Sequence, residues 1–478
     1  MKGGGESITN LQDRGIPDGW QWSKLGTVTA PSKERTEPGD QPAAAYLGLE
    51  HIKAHTTLIV GKGAARDVSS TKSAFRAGDV LYGKLRPYLS KVCRPKFDGV
   101  CSTDILVFPR SKCLNSEYLM RFLTLPEVVA FANHNMSGVQ LPRISFQKMA
   151  ELDFPLPPLA EQERIVAKLE EVLARVNTAR ERLAKVPAIL KRFRQSVLAA
   201  ACSGRLTADW RAQHPSSDDD QFRRASEYDW REDALPLTWT WTFLGEIADM
   251  KLGKMLDKAK NTGIPCPYLR NINVRWYEFD LADILEMKVR DEDREKYSVQ
   301  DGDVLVCEGG EPGRAAVWRN GRTGLLFQKA IHRIRMPDFV VPEWVVYNIK
   351  LDAHSPRLES LFTGTTIKHL TGKALAQYPF CLPPFAEQVE LVRRVGSLLA
   401  LADTVEMRVT QAARRASKLT QSTLARAFRG ELVPTEAELA RAEGRSYESG
   451  AELLERIRRS RLSQEGKKPA RNEKPMAR

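Results

Sequence analysis

Apolar residues recur at alternating steps of four and three along one stretch: Ile165, Leu169, Val172, Val176, Ala179, Leu183, Val186, Leu190, Phe193 and Val197. The same stepping returns 226 residues later at Leu391, Val395, Leu398, Ala402, Val405, Val409, Ala412, Ala416, Leu419 and Thr423. A seam of this kind predicts a helix packed along another helix. Each copy opens on a double proline, Pro157-Pro158-Leu159-Ala160-Glu161-Gln162 and Pro383-Pro384-Phe385-Ala386-Glu387-Gln388. Proline suits a helix's first turn and disfavours helix in the residue before it. Glu161 and Glu387 suit the positive end of the helix dipole, and Gly204 and Gly430 stand where C-terminal caps belong. Two helices are expected, within 157–206 and 383–432, each roughly 70 Å long at 1.5 Å per residue. Pro187 predicts a kink or break in the first, because it removes an internal hydrogen bond; its counterpart Ala413 carries no such constraint. The period exceeds the roughly 20 to 50 residues of a solenoid repeat, so it reads as a duplication. The alternative is two amphipathic helices, each packed only on its own globular domain.

The text before each helix has a different rhythm. Short apolar runs such as Asp79-Val80-Leu81-Tyr82, Ile105-Leu106-Val107-Phe108 and Asp303-Val304-Leu305-Val306 sit among Gly, Pro and Asp and predict strands. Helices are expected at 117–132, 342–351 and 450–462. The two globular regions begin alike, at Pro17-Asp18-Gly19-Trp20-Gln21-Trp22 and Pro236-Leu237-Thr238-Trp239-Thr240-Trp241. Tryptophans two apart share one face of a strand and are read here as core rather than base-stacking residues. The chain thus divides into a flexible N-terminus (1–16), a first head (17–156), a first helix (157–206), a linker (207–235, acidic at Asp218-Asp219-Asp220), a second head (236–382), a second helix (383–432) and a C-terminal segment (433–478) ending in a basic, disordered tail from 466. The fold class is α+β, two α/β heads on two long helices with an internal repeat. The heads resemble each other far less than the helices do.

Composition narrows the partners. A chain of 478 residues has room for two to four domains. Its formal net charge of +13 favours an anionic partner such as nucleic acid. Seven scattered cysteines without a C-x-x-C pair argue against a disulfide framework or a zinc site, and fit a reducing, cytoplasmic setting. No apolar run reaches the roughly 18 residues a membrane span needs, and Met1-Lys2-Gly3-Gly4-Gly5 opens without the apolar stretch of a signal peptide.

A catalytic constellation does not emerge. Leu382-Pro383-Pro384-Phe385 lacks the polar first residue that an amino-methyltransferase loop needs to accept from its target amine. Glu286-Met287-Lys288 after Asp280 or Asp283 lacks the strand context of a nuclease carboxylate set. Glu308-Gly309-Gly310-Glu311-Pro312-Gly313 is neither a dinucleotide fingerprint nor a P-loop. The seven histidines show no metal-ligand spacing. Polar, basic loops remain. In the first head the candidates for DNA contact are Lys84, Arg86, Tyr88 and Lys91 in one loop and Gln140 and Arg143 in another; in the second they are Arg314, Thr365, Lys368 and His369. Gln and Arg pair with base edges, and Lys and Thr hold phosphates. The plainer alternative is that these side chains are merely solvated.

The paired Pro-Pro-x-Ala-Glu-Gln segments, Lys191-Arg192-Phe193-Arg194-Gln195-Ser196-Val197-Leu198 with its second copy, and Gly78-Asp79-Val80-Leu81-Tyr82-Gly83-Lys84-Leu85-Arg86-Pro87-Tyr88 make the chain resemble the specificity subunits of Type I restriction–modification systems. That resemblance covers nearly the whole length. It implies two target-recognition domains, each reading half of a split DNA site, and helices pairing as an antiparallel coiled-coil spacer with pseudo-twofold symmetry. The spacer positions would be Ile165, Leu169, Val172, Val176, Leu183 and Leu190 against Leu391, Val395, Leu398, Val405, Val409 and Leu419. It further implies two copies of a methyltransferase subunit carrying S-adenosylmethionine, a restriction and translocase subunit using ATP and Mg, and no cofactor, metal or catalysis in this chain. The competing readings are an enzyme acting alone, and a stand-alone coiled-coil scaffold without sequence-specific DNA binding.

Overall fold

The computed structural model describes residues 15–215, 235–257, 261–353 and 355–465. The expected loose N-terminus up to residue 14, the acidic linker stretch around Asp218 and Trp230, and the basic tail from 466 lie outside the described residues. The chain forms two compact units: residues 1–182 with 412–478, and Leu183–Gln411. Both boundaries fall inside the long helices, Leu159–Cys202 and Phe385–Ala427.

In the first unit, strand Gln21–Lys24 pairs antiparallel with Asp153–Leu156, tying the start of the head to the residues just before the helix. Between them lie a five-stranded sheet in the order Arg35–Thr36, Lys72–Phe75, Gly99–Cys101, Ala45–Leu47 and Gly63–Ala64, and a three-stranded sheet with Val80–Gly83 at its centre. The second unit repeats the closure: Thr240–Phe243 pairs with Pro379–Leu382, and Val304–Cys307 lies between Ala315–Val317 and Ile331–Arg335. The strand expectations hold to within a residue or two. The 117–132 helix does not; it is two helices, Ser116–Leu123 and Pro126–His134, because Pro126 cannot continue the first and starts the second.

The repeated Glu-Gln pair lies at the base of each unit. Glu161 is fully buried; one carboxylate oxygen accepts from the Trp20 indole N–H at 2.8 Å and the other from the backbone N–H of Glu436 at 2.8 Å. Glu387, equally buried, accepts from Trp239 at 2.8 Å, from the Thr207 hydroxyl at 2.6 Å and from Arg211 at 2.8 Å. Each glutamine beside them accepts from a head backbone N–H (Asn115 at 2.9 Å, Val341 at 2.8 Å) and donates to the first proline's carbonyl. Trp20 and Trp239 are therefore core residues, as expected. They sit one residue before the strands, so Trp22 and Trp241 are the half-buried strand residues and the two do not share a strand face. Gly204 and Gly430 have φ of 73° and 72°, and a Cβ on either would collide with Pro236 or Pro17. The caps are glycines for backbone reasons and because the lead-in proline of a head rests on each.

Along the helices, Ile165, Leu169, Val176, Leu190, Leu391 and Val395 are buried, and Val172, Leu183, Leu398, Val405 and Val409 are half-buried. Leu419 is not a seam residue: it is 49 % exposed, while Ala416, Thr420, Thr423 and Leu424 carry the stripe past it. Ala179 is likewise exposed, and Arg180 beside it turns in. A straight helix turns once per 3.6 residues, so a strict seven-residue reading drifts by about 20° per heptad and the stripe corrects by stepping one residue further. Of the kink or break expected at Pro187, the break does not occur: the first helix runs continuously from Leu159 to Cys202. The lost N–H affects one hydrogen bond, and half-buried Leu183 and Val186 with buried Leu190 hold the turns on either side.

Two outcomes follow from these contacts. Trp20→Phe strips a donor from a carboxylate that has only one other, and should cost about 1–3 kcal/mol by denaturant unfolding. Trp239→Phe should cost clearly less, since Thr207 and Arg211 still hold Glu387; equal losses would mean that the indole bonds are not what matters. Pro187→Ala should raise stability by up to about 3 kcal/mol, the penalty of an internal proline, and an unchanged unfolding midpoint would show that the turn accommodates it freely.

Candidate nucleic-acid interface

Three loops meet on the first head. One spans 53–58 between the bridged pair Ile52 and Ile59, one spans 84–90 after strand Val80–Gly83, and one spans 137–143, closed by two hydrogen bonds between Ser137 and Arg143 at 2.8 Å each. Backbone bonds join them: His55 N–H donates to Leu89 O at 2.8 Å, Arg86 N–H to Pro142 O at 2.7 Å, and Ile144 N–H to Lys84 O at 3.0 Å. His55, Arg86 and Ser90 adopt left-handed φ, three of the four non-glycine residues to do so among the described residues. Strain of this kind gathers where surrounding structure over-determines a conformation, often at functional sites.

The second head builds the same cluster. Its loops span 275–278 between bridged Val274 and Phe279, 308–314 after strand Val304–Cys307, and 363–369, closed by paired bonds between Thr363 and His369. Tyr277, the fourth left-handed residue, donates its N–H to the carbonyl of Ala315, the first residue of the strand after the 308–314 loop, whereas His55 donates to Leu89 O within the 84–90 loop. Leu370 N–H donates to Glu308 O at 2.8 Å, and Glu308 N–H to Ala330 O at 2.9 Å; in the first head the corresponding bonds are Ile144 to Lys84 and Lys84 to Asp104.

Within this frame the candidates separate. Arg86, Tyr88 and Gln140 are exposed and Lys84 is half-buried; none of their side chains makes a hydrogen bond or ion pair among the described residues. Thr365 and His369 are exposed too, at the second head's 363–369 loop, and Lys368 is held by Glu359 at 3.2 Å. Apolar residues share the loop tips: Val139 is fully exposed and Ile367 is 66 % exposed. Lys91 and Arg314 do different work. Lys91 Nζ donates to Leu49 O at 2.5 Å, and Arg314 Nη2 to Asn271 O at 2.8 Å. Each carbonyl belongs to the first residue of a short 3-10 turn, so both cations brace the loop from behind. Arg314 is tied further to Glu311 at 3.0 Å. Arg143 grips Asp104 with two nitrogens, Nε at 2.8 Å and Nη2 at 3.1 Å, and the guanidinium, first through this hydrogen bond, holds the Asp104 carboxyl below its usual range.

Sequence reading missed His55, Tyr277, Asp104 and Trp276. Trp276 donates to Glu311 at 2.8 Å, and Lys350 sits 4.0 Å over its ring. The signal that finds the equivalence is the repeat itself. Ser137-Gly138, Leu141, Ile144 and Ser145 match Thr363-Gly364, Ile367, Leu370 and Thr371 at the same 226-residue spacing as the helices. Among the described residues no cluster of metal-ligating side chains occurs, and no helix is long and apolar enough to cross a membrane.

Two heads carrying braced three-loop clusters, on long helices that bear no cluster of their own, define a recognition scaffold. The Type I restriction modification DNA specificity domain matches residues 68–188. The chain is 32 % identical over 345 residues to the EcoKI specificity subunit of Escherichia coli strain K12, covering 70 % of this chain and 69 % of that one. It is 33 % identical over 367 residues to the EcoBI specificity subunit of Escherichia coli, covering 74 % of each. Its fold matches the HsdS subunit from Thermoanaerobacter tengcongensis, with a TM-score of 0.58 at 23 % identity over 87 % of this chain and 98 % of that one. A chain from a structure of type I R-M complex assembly matches with a TM-score of 0.67 at 24 % identity, over 87 % of this chain and all of the other. The chain belongs to the family of Type I restriction enzyme specificity subunits.

The Asp104–Arg143 pair has a titration signature. A depressed carboxyl contributes stability above the unfolded value, and the contribution is lost as pH falls through the folded one. Thermal melts of Arg143→Ala should therefore lie furthest below the parent at neutral pH and converge with it as pH drops below the usual aspartate range. Parallel melting curves at all pH values would show that the pair is idle.

Proposed function

We propose that this chain is the DNA-recognition subunit of a Type I restriction–modification complex and performs no chemistry itself. Each head reads one half of a bipartite, asymmetric site in double-stranded DNA. Arg86, Tyr88, Gln140 and Lys84 make the contacts of the first head, and Thr365, Lys368 and His369 those of the second. The observation that carries this reading is a loop arrangement shared by both heads, with matching backbone bonds around Lys84 and Glu308 and matching paired bonds closing 137–143 and 363–369, that presents different side chains in each. Such a frame lets two recognised sequences differ without refolding either head. The net charge of +13 adds the non-specific attraction to phosphates on which base reading is superimposed.

The long helices act as an antiparallel coiled-coil spacer. In support, Arg180 bonds Ser417 at 2.9 Å in one unit, and Arg194 bonds Asp403 at 2.7 Å and Glu406 at 2.6 Å in the other. Partner numbers rise on one helix as they fall on the other, as antiparallel pairing requires. A duplicated frame with pseudo-twofold symmetry offers two equivalent faces to two copies of a methyltransferase subunit. That subunit supplies S-adenosylmethionine chemistry, and a restriction and translocase subunit uses ATP and Mg to move and cut DNA.

Adding about seven residues, two turns or roughly 10 Å, to both helices should widen the unread gap by about three base pairs at 3.4 Å each. Methylation mapping of cells carrying the chain and its methyltransferase subunit reads the gap directly. An unchanged gap would remove the spacer role.

A further inference from the structure

Resting on the recognition role proposed above, we infer that Lys84 and Glu308 are specificity-determining residues of opposite sign at one equivalent position. Lys84 selects a base edge presenting acceptors, as guanine does, in one half-site. Glu308 selects an edge presenting an amino group, as cytosine does, in the other.

The equivalence is a matter of backbone bonds. Lys84 N–H donates to Asp104 O at 2.9 Å and its carbonyl accepts from Ile144; Glu308 N–H donates to Ala330 O at 2.9 Å and its carbonyl accepts from Leu370. Each residue directly follows the central strand of its three-loop cluster, Val80–Gly83 or Val304–Cys307. The neighbouring bond also matches, Gly83 N–H to Lys91 O and Cys307 N–H to Arg314 O. Three positions therefore correspond, and their side chains have changed together: Lys84, Asp104 and Arg143 in the first head stand where Glu308, Ala330 and His369 stand in the second.

Glu308 has no structural employment that accounts for it. It is half-buried, and its carboxylate makes no hydrogen bond or ion pair among the described residues. The nearby cations are committed elsewhere, since Arg314 is held by Glu311 and Asn271 O. Buried His332, whose ring nitrogen bonds Leu370 O at 2.9 Å, feels the Glu308 charge, but burial is the larger effect and lowers its affinity for a proton. The neighbouring acid, Glu311, is satisfied by Trp276 and Arg314. A partly desolvated carboxylate without a donor is costly, and beside DNA phosphates it is repelled as well. It fits a DNA-facing loop when a base edge supplies the donor, and the cytosine N4 amino group is the edge that Glu reads in the major groove. Lys84 is the converse case. Its ammonium makes no hydrogen bond or ion pair among the described residues; Asp104, which feels its charge, is held by two bonds from Arg143, and the ammonium is left to guanine O6 and N7.

The full chain is co-produced with its methyltransferase subunits in a host without other methylation, and modified sites are mapped by long-read sequencing. The parent should yield a bipartite motif. Glu308→Gln should relax discrimination at one position of one half by about tenfold or more, with the other half unchanged. Glu308→Lys should turn the preference at that position towards guanine, and Lys84→Glu should act in the opposite sense in the other half. If Glu308→Gln and Glu308→Lys both keep the parent's preference at every position, the assignment is overturned while the bipartite reading stands. A parent without any bipartite motif would instead sink the recognition role itself. Should methylation disappear in Glu308→Gln, size-exclusion chromatography of the complex decides. An unassembled chain assigns Glu308 to folding and overturns the inference; an assembled complex that has lost only its site-specific binding in gel shifts supports it.

Discussion

A fully buried carboxylate at the first turn of each long helix sets the terms for the rest of the molecule. An ionised group in that position is tolerated only when donors surround it. Glu161 obtains them from a tryptophan at the start of the head and from a backbone N–H in the segment after the second helix. Glu387 obtains them from the corresponding tryptophan and from Thr207 and Arg211, in the segment after the first helix. Each unit is thus a knot of three distant pieces of chain, and neither is complete without the tail end of the other copy's helix. Burial raises the affinity of Glu161 for a proton, partly offset by its two hydrogen bonds. The first knot has no cation directly on its carboxylate, since Arg164 is spent on Glu436, whereas the second has Arg211. The two copies solve one problem with different margins.

The heads show which parts of a recognition surface are free to change. The backbone bonds around the residue after the central strand recur in both heads, Ile144 to Lys84 and Lys84 to Asp104 in one, Leu370 to Glu308 and Glu308 to Ala330 in the other, and so does a cation bracing the hairpin against a 3-10 carbonyl. Lys91 and Arg314 differ in chemistry and share the task, because a carbonyl needs a donor and either serves. One strand end away, position 84 in one head and 308 in the other is a lysine and a glutamate. Among the described residues neither side chain makes a hydrogen bond or ion pair that would fix the sign there. Positions answering to the fold keep their charge, and positions answering to something outside it do not.

The helices were legible in the sequence because their determinants are local and repeated: a double proline, a Glu-Gln pair, a four-three apolar step and a glycine. Even so, the seam assigned to Leu419 was displaced, because a 3.5-residue reading cannot follow a 3.6-residue helix over so many turns. Pro187 does not break the helix, because the turns on either side of it are packed and its cost is carried by a helix of 44 residues. The heads were legible only as strands and turns. Several strands are two or three residues long, too short to show a period of two, and the register between heads slips from 226 to 224 residues at the 84–90 loop. The candidate list therefore mixed braces with exposed tips. Lys91, Arg314 and Arg86 look alike in sequence, and only the structure separates the first two, which bond 3-10 carbonyls, from Arg86, whose side chain makes no such bond among the described residues.

This separation bears on how a two-headed reader can change what it reads. A residue at a loop tip that also held the loop together could not be replaced without losing the surface it belongs to. Here the holding is done from behind, by Lys91 and Arg314, and from the side, by backbone bonds indifferent to side-chain identity. The Arg143–Asp104 pair is the intermediate case: a side-chain bond that stiffens the first head's loop, absent from the second, where Ala330 and His369 stand and the paired Thr363–His369 backbone bonds close the loop with the Thr363 hydroxyl and the Lys368–Glu359 pair. The second head shows that the pair is dispensable to the frame. In the first head the pair bears on its neighbour, because Asp104, which feels the Lys84 charge, already accepts two bonds from Arg143, and the Lys84 ammonium makes no hydrogen bond or ion pair among the described residues.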